Sequence, residues 1–128
     1  MKLLITGAAG YIGGMLVERF AAREDVDEII CLDRKPINKE LRALSKVLYI
    51  HANTADDTWQ EVCRERAPDV VIHCAWQIRE LYGRPALQRR WNIHGSQNII
   101  SFAQSVDSVK KFIFLSTVAV YGAYPDNN

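Results

Sequence analysis

Four residues near the N-terminus have the types and spacing that bind a charged ligand. Gly7, Gly10 and Gly13 make a glycine-spaced turn, and Asp33 follows twenty residues after the last of them. Such glycines serve a pyrophosphate: the first permits a tight turn, the second lets backbone approach the phosphates, and the third lets the next helix lie against its strand. The helix start adds N–H groups without intrahelical partners and a partial positive charge, so the chemistry expected here is anion binding. A carboxylate about twenty residues further on is where a dinucleotide fold holds the adenosine ribose. Taken as local structure only, the same glycines would serve turns and Asp33 would be a solvated strand end. The elements around them argue for the ligand.

Leu3-Leu4-Ile5 is continuously apolar, as a buried parallel strand requires, and Ile12, Leu16 and Phe20 recur at helical spacing after the turn. A second apolar run over 28–32 ends in Asp33. Further strands are expected over 47–50, 69–75 and 111–117, alternating with helical stretches over 40–44, 56–67 and 85–105. Pro36, Asn38, Pro68, Gly83 and Pro85 punctuate the alternation. Asp56 and Asp57 with Glu61 predict a capped helix start. Leu87, Trp91, Ile99, Phe102 and Val106 predict an apolar face on the last helix. Strand–helix alternation of this kind yields an α/β fold, a parallel sheet with helices on both faces. Right-handed crossovers and a doubling back after three strands give the Rossmann-type strand order 3-2-1-4-5. That order brings the glycine turn, Asp33, the loop after Ile50, Cys74-Ala75 and Ser116-Thr117 to one sheet edge.

Bulk properties narrow the partners. The 128 residues, 48% of them hydrophobic, suit one domain with a real core. Sixteen Lys and Arg against fifteen Asp and Glu, without a basic run, argue against nucleic acid or a membrane surface as the main partner. Cys31, Cys63 and Cys74 fall inside elements without metal-ligand spacing, so buried reduced thiols, a cytoplasmic setting and no metal are expected. The chain opens directly on a core strand, which predicts no secretory signal, and no apolar run reaches bilayer length.

Four motifs in order carry a family resemblance. Thr6-Gly7-Ala8-Ala9-Gly10-Tyr11-Ile12-Gly13, Val71-Ile72-His73-Cys74-Ala75, Asn92-Ile93-His94-Gly95-Ser96-Gln97-Asn98 and Phe114-Leu115-Ser116-Thr117-Val118-Ala119-Val120-Tyr121-Gly122 together resemble the extended short-chain dehydrogenase/reductases. Within them the chain is most similar to the NAD-dependent epimerase/dehydratases of nucleotide sugars. The resemblance implies that Gly7, Gly10 and Gly13, with the Tyr11 and Ile12 backbone N–H groups, hold a pyrophosphate, and that Asp33 holds the ribose. A carboxylate there repels a 2′-phosphate, so NAD is expected over NADP, with Arg34 the residue that could partner such a phosphate. Asn53 stands where the family has an acid facing the adenine, Ala75 is the small residue against the cofactor, and Asn92 and Ser116 belong to the cofactor-facing motifs. Thr117 matches the serine or threonine that hydrogen-bonds the reacting hydroxyl or ketone of a nucleotide-sugar substrate. Trp76 replaces a small neighbour and either walls the substrate pocket or packs. His73 is expected to be a structural imidazole and Tyr121 a core residue. For Arg79, Arg84, Arg89 and Arg90 a solvated basic helix start is expected, with phosphate contact the alternative.

The family's chemistry also implies a Tyr-x-x-x-Lys pair, and no tyrosine in the sequence is followed four residues later by lysine. The chain is therefore expected to bind its dinucleotide without turnover, as the truncated cofactor domain of a longer enzyme. Phe112, Ile113, Phe114 and Leu115 would make an apolar sheet edge, covered by a longer parent chain or by a second copy in a homodimer. The alternative function is a stand-alone dinucleotide sensor that pairs through that edge. A methyltransferase fits poorly, because the three-glycine spacing suits a pyrophosphate and S-adenosylmethionine has none.

Overall fold

A computed structural model describes residues 1–117. Its elements follow the expected alternation. They are β1 (Lys2–Thr6), α1 (Tyr11–Ala21), β2 (Glu28–Asp33), α2 (Lys39–Arg42), β3 (Val47–His51), α3 (Gln60–Arg66), β4 (Val70–His73), α4 (Pro85–Arg89), a π-helical turn (Arg90–His94), α5 (Gly95–Ser105) and β5 (Lys111–Phe114). All strand pairs are parallel, in the order β3-β2-β1-β4-β5. This is a Rossmann-type α/β sheet. Tyr121 lies outside the described residues, and no helix within them is long and apolar enough to cross a membrane.

Successive strand residues point to opposite faces, and each face has its own helices. Leu3, Ile5, Ile29, Cys31 and Ile72 pack with Val17 of α1, with Ile37 and with Leu41 of α2. Leu4, Ile30, Leu32 and Val71 pack with Trp59 and Cys63 at α3 and with Ile99 and Phe102 of α5. The buried stripe of α1 is Gly13 and Val17, with Leu16 and Phe20 partly covered. Ile12, expected on that stripe, is 50% exposed, because the first turn projects past the sheet end.

Three expectations are corrected. Strands β4 and β5 are shorter than 69–75 and 111–117, since β1 ends at Thr6 and turns away through Gly7. Ladder bonds persist for one more residue, with Cys74 N–H donating to Thr6 O (3.2 Å) and Leu115 N–H to His73 O (3.1 Å). Beyond that, no described strand pairs with β4. The expected cap over 56–61 does not form. Trp59 takes the N-cap position without a side-chain bond, while Asp57 accepts from Gln60 through both its carbonyl and its carboxylate (3.1 Å each).

The third correction bears on the site. The helix expected over 85–105 is interrupted by the π turn at Arg90–His94, which inserts an extra residue into the helix. Ile99 and Phe102 thereby stay on the sheet, while Trp91, expected with them on the core face, lines the crevice at the strand ends.

Candidate functional site

At the carboxyl ends of β1, β2 and β4 lies a crevice of about 190 Å3. Enclosed ligand pockets run to roughly 300–1,000 Å3, so this is a groove along which a ligand lies rather than a chamber. Its floor is backbone. Gly7 has φ +72°, and a Cβ there would meet Ala75 N at 2.7 Å; at Gly13 a Cβ would meet Gly7 O at 2.1 Å. At Gly10 the approach is milder, 3.1 Å to Gly7 O. Without side chains at these positions α1 sits directly on the turn, and β1 passes against the Cys74–Ala75 backbone.

Gly10 caps α1 with extended backbone and no side-chain bond, and no acidic residue lies in the first turn. The N–H groups of Tyr11 and Ile12 belong to that first turn and have no intrahelical acceptor, which with the helix dipole makes this end electropositive. Both side chains are exposed, at 83% and 50%. An anion can approach the backbone unobstructed.

Asp33, at the end of β2, is held by two backbone donors. Its Oδ2 accepts from Ala9 N–H (2.9 Å) and its Oδ1 from Lys35 N–H (2.8 Å). Each oxygen keeps a further lone pair for a ligand hydroxyl. Across the groove, Arg34 Nη2 donates to Gln77 Oε1 (2.7 Å), and the guanidinium lies 4.0 Å from the centre of the Trp91 ring. Asn53 lines the groove with its Oδ1 accepting from Ala55 N–H (3.0 Å), so its carbonyl stabilises its own loop.

Asn92 bonds through both ends of its amide within the chain. Its Oδ1 accepts from Gln77 N–H (2.7 Å) and its Nδ2 donates to Gln77 O (3.0 Å), which fixes the loop after β4. Among the residues expected to hold a ligand, Gly7, Gly10, Asp33, Arg34, Asn53, Ala75 and Asn92 share this groove. Trp76, 49% exposed, also lines it. Ser116 and Thr117 emerge from β5 at the same sheet edge, exposed and outside the lining. Arg79, Arg84 and Arg89 are exposed and do not line the groove, and Arg90 pairs with Asp56 (2.6 Å).

Beneath the groove a buried relay ties three elements together. Thr6 Oγ1 lies 2.6 Å from His73 Nδ1 and accepts from Ala75 N–H (3.3 Å). His73 Nε2 lies 2.9 Å from Ser96 Oγ, which itself donates to Asn92 O (2.6 Å). A hydroxyl has one proton, and that of Ser96 is committed to a carbonyl, so His73 Nε2 carries the hydrogen and Nδ1 accepts from Thr6. Burial pushes the His73 pKa down to about 4, which keeps the ring neutral. It is a structural crosslink rather than a base. Cys74 lines the groove, but burial pushes its thiol up to about 11, so it stays protonated and is a poor nucleophile.

Sequence reasoning missed Gln77, Trp91, Thr6 and Ser96 as members of this site. Gly95 was visible only as part of a motif; a Cβ on it would meet Thr54 Oγ1 at 2.4 Å, so it lets α5 close onto the loop after β3.

Comparison with known proteins shows the family and the fold. The sequence pattern of the NAD dependent epimerase/dehydratase family matches residues 3–128. UDP-glucose 4-epimerase of Halalkalibacterium halodurans is 32% identical over 125 residues, which are 95% of this chain and 36% of that protein. The enzyme WbmG of Bordetella bronchiseptica, solved in complex with NAD, superposes with a TM-score of 0.82 at 26% identity, over 95% of this chain and 39% of that one. UDP-glucose 4-epimerase of Thermotoga maritima, solved with UDP-glucose, superposes with a TM-score of 0.77 at 28% identity, over 91% and 38% of the two chains. The chain spans between 33% and 39% of the length of the curated epimerase and mycobacterial relatives it matches. On fold, site and sequence pattern together, this chain belongs to the NAD-dependent epimerase/dehydratase family.

Proposed function

We propose that this chain is the NAD-binding part of an oxidoreductase-type epimerase or dehydratase acting on a nucleotide sugar. The observation that carries the reading is the stripped turn at Gly7, Gly10 and Gly13 facing a carboxylate already oriented by backbone. A Cβ at Gly7 or Gly13 would come within 2.7 Å of backbone, so the cradle exists only because side chains are missing there. A pyrophosphate fits such a cradle: it needs backbone donors at a helix start and close approach. Asp33 fits a ribose diol, because both its oxygens are fixed at the strand end and retain acceptor capacity.

In this reading the Tyr11 and Ile12 N–H groups and the start of α1 hold the pyrophosphate. Asp33 accepts from the ribose hydroxyls, Asn53 borders the adenine end, and Ala75 leaves room above the β4 terminus. When bound, NAD supplies a hydride acceptor for a sugar carbon. Ser116 and Thr117 stand at the neighbouring strand end, where Thr117 is assigned to hydrogen-bond the substrate hydroxyl or ketone. The relatives WbmG, solved with NAD, and the Thermotoga maritima enzyme, solved with UDP-glucose, support the reading of a dinucleotide beside a nucleotide sugar. Turnover requires a general base, and a Tyr-x-x-x-Lys pair is absent from these 128 residues, so the chain by itself is expected to bind and not to turn over.

Calorimetric titration of the chain with NAD and NADP tests the reading. Micromolar NAD binding, weakened at least about tenfold by Asp33→Ala, is the expected result for a carboxylate with charge-assisted bonds to ribose. An Asp33→Ala chain that binds NAD as well as the parent chain would remove the assignment of the ribose, and a parent chain that binds neither coenzyme would remove the whole reading.

A further inference from the structure

The turn after β2 carries two opposed charges. Asp33 presents an anion to the groove, and the next residue, Arg34, is a cation whose planar guanidinium suits bidentate bonding to phosphate. A 2′-phosphate on the ribose would meet both. The backbone here is pinned from β3: Tyr49 Oη donates to Lys35 O (2.9 Å), and His51 Nε2 donates to Arg34 O (2.9 Å). Only the Arg34 side chain is left to decide which charge faces the ligand.

That side chain is drawn to the opposite wall. Its guanidinium stacks 4.0 Å from the Trp91 ring centre and donates 2.7 Å to Gln77 Oε1. Both partners are themselves fixed. Gln77 is clamped through its main chain by Asn92, and its own Nε2 donates to Arg79 O (2.9 Å), which turns Oε1 toward Arg34. Trp91 sits in the π turn, whose extra residue takes it off the sheet and into the groove. A guanidinium engaged on one face by the π turn and on one edge by the loop after β4 is held against the wall opposite its own strand.

We propose that Trp91 and Gln77 set the coenzyme preference of this groove, by holding Arg34 away from the ribose so that Asp33 alone meets the 2′ position. A free 2′-hydroxyl is then accepted by the carboxylate, and a 2′-phosphate is repelled without a compensating cation. This rests on the dinucleotide reading above. Asp33 is necessary for the preference and is not sufficient, because an adjacent free arginine would offset it.

The test is titration with NAD and NADP of the parent chain, of Gln77→Met, of Trp91→Leu/Gln77→Met, and of the latter with Arg34→Leu added. The parent chain is expected to prefer NAD. In the double variant the guanidinium is released, and the NADP-to-NAD affinity ratio is expected to rise about tenfold or more, the ratio being the readout because both residues line the groove. Gln77→Met keeps the main-chain clamp and the tryptophan, so it should fold as the parent does and shift the ratio in the same direction by about threefold. Adding Arg34→Leu should cancel the gain. A parent chain that prefers NADP, a ratio unchanged in both Gln77→Met and the double variant, or a gain that survives Arg34→Leu would each overturn the proposal while leaving the dinucleotide reading intact. A parent chain that binds neither coenzyme overturns both.

Discussion

The two walls of the groove are built by different means. On the β1–β2 side the shape is set by what is missing: Gly7 and Gly13 leave space that a single methyl would fill, at 2.7 and 2.1 Å from backbone atoms, and Asp33 is oriented by main-chain donors. On the β4–α5 side the shape is set by side chains reaching across the fold, with Asn92 clamping Gln77, Trp91 holding Arg34, and His73 joining Thr6 to Ser96. The first wall is rigid because steric exclusion permits nothing else. The second is held by bonds that can be removed one at a time, each at a modest cost. Mutations should therefore act in an all-or-none manner on one side and in graded fashion on the other.

The sharpest test lies on the glycine wall. Gly13→Ala places a Cβ 2.1 Å from Gly7 O and 2.9 Å from Ala8 Cα, both on backbone that cannot rotate aside. Helix α1 must lift from β1, opening the core around Val17, and a loss of about 3 kcal/mol or more is expected. Chemical denaturation would measure it. A Gly13→Ala chain as stable as the parent would mean that steric exclusion does not define this wall.

On the opposite wall, His73 gives an effect confined to a pH window. Its ring is neutral in the fold with a pKa of about 4, against an ordinary value of 6.5. Between these values the unfolded chain binds the proton and the folded chain does not, so stability rises with pH. The contribution is complete above about pH 6.5 and is lost as the pH falls toward 4. At 1.36 kcal/mol per pH unit over that window, the loss is about 3 kcal/mol. Asp25 and Asp27 are held below 3.8 by hydrogen bonds from Arg23 and from the N-terminal amine, so their losses fall below the window. His73→Gln should flatten the dependence between pH 6.5 and 4.5. An equally steep dependence in the variant would show that the ring is not the titrating group.

The contrast between the walls also explains which features were legible in the sequence. The glycine turn, the apolar strands and the alternation are local patterns, and parallel topology follows from handedness and strand count, so the order 3-2-1-4-5 is legible in the sequence. Element ends were less legible, because β4 and β5 stop where β1 turns away, a fact about a neighbour in space. Trp91 shows the limit most clearly. Its spacing from Leu87 and Ile99 places it on a helix's core face, and only the extra residue of the π turn swings it into the groove. The sequence carries no periodicity signal for that insertion. The Arg34–Gln77 and Thr6–His73–Ser96 contacts join residues 43, 67 and 23 positions apart, which no local pattern can specify.

Asn92→Ala should give a smaller loss on the side-chain wall. It strips two partners from the Gln77 main chain, whose N–H and C=O are bonded at 2.7 and 3.0 Å. The loop after β4 can move outward and let water in, so the cost is that of two exchanged hydrogen bonds, about 1–2 kcal/mol. Amide hydrogen exchange should report the change at Gln77 and not at Gly10 or Gly14. Exchange that quickens along α1 as well would mean the two walls are coupled and the contrast between them is false.

The smallest expected effect sits one residue from the largest. Gly14 occupies the same helix as Gly13, yet a Cβ there would meet Ala8 O at 3.6 Å and Leu41 Cδ1 at 3.7 Å, both ordinary contacts. With space available and helical backbone already in place, Gly14→Ala gains what alanine gains over glycine inside a helix, about 0.5–1 kcal/mol. Its neighbour loses several times that amount through the same methyl group. The opposite signs separate steric exclusion from helix propensity, since propensity alone would stabilise both variants. A Gly14→Ala chain that loses stability alongside Gly13→Ala would show that the whole first half of α1 is packed to its limit, and the glycine wall would then extend further along the helix.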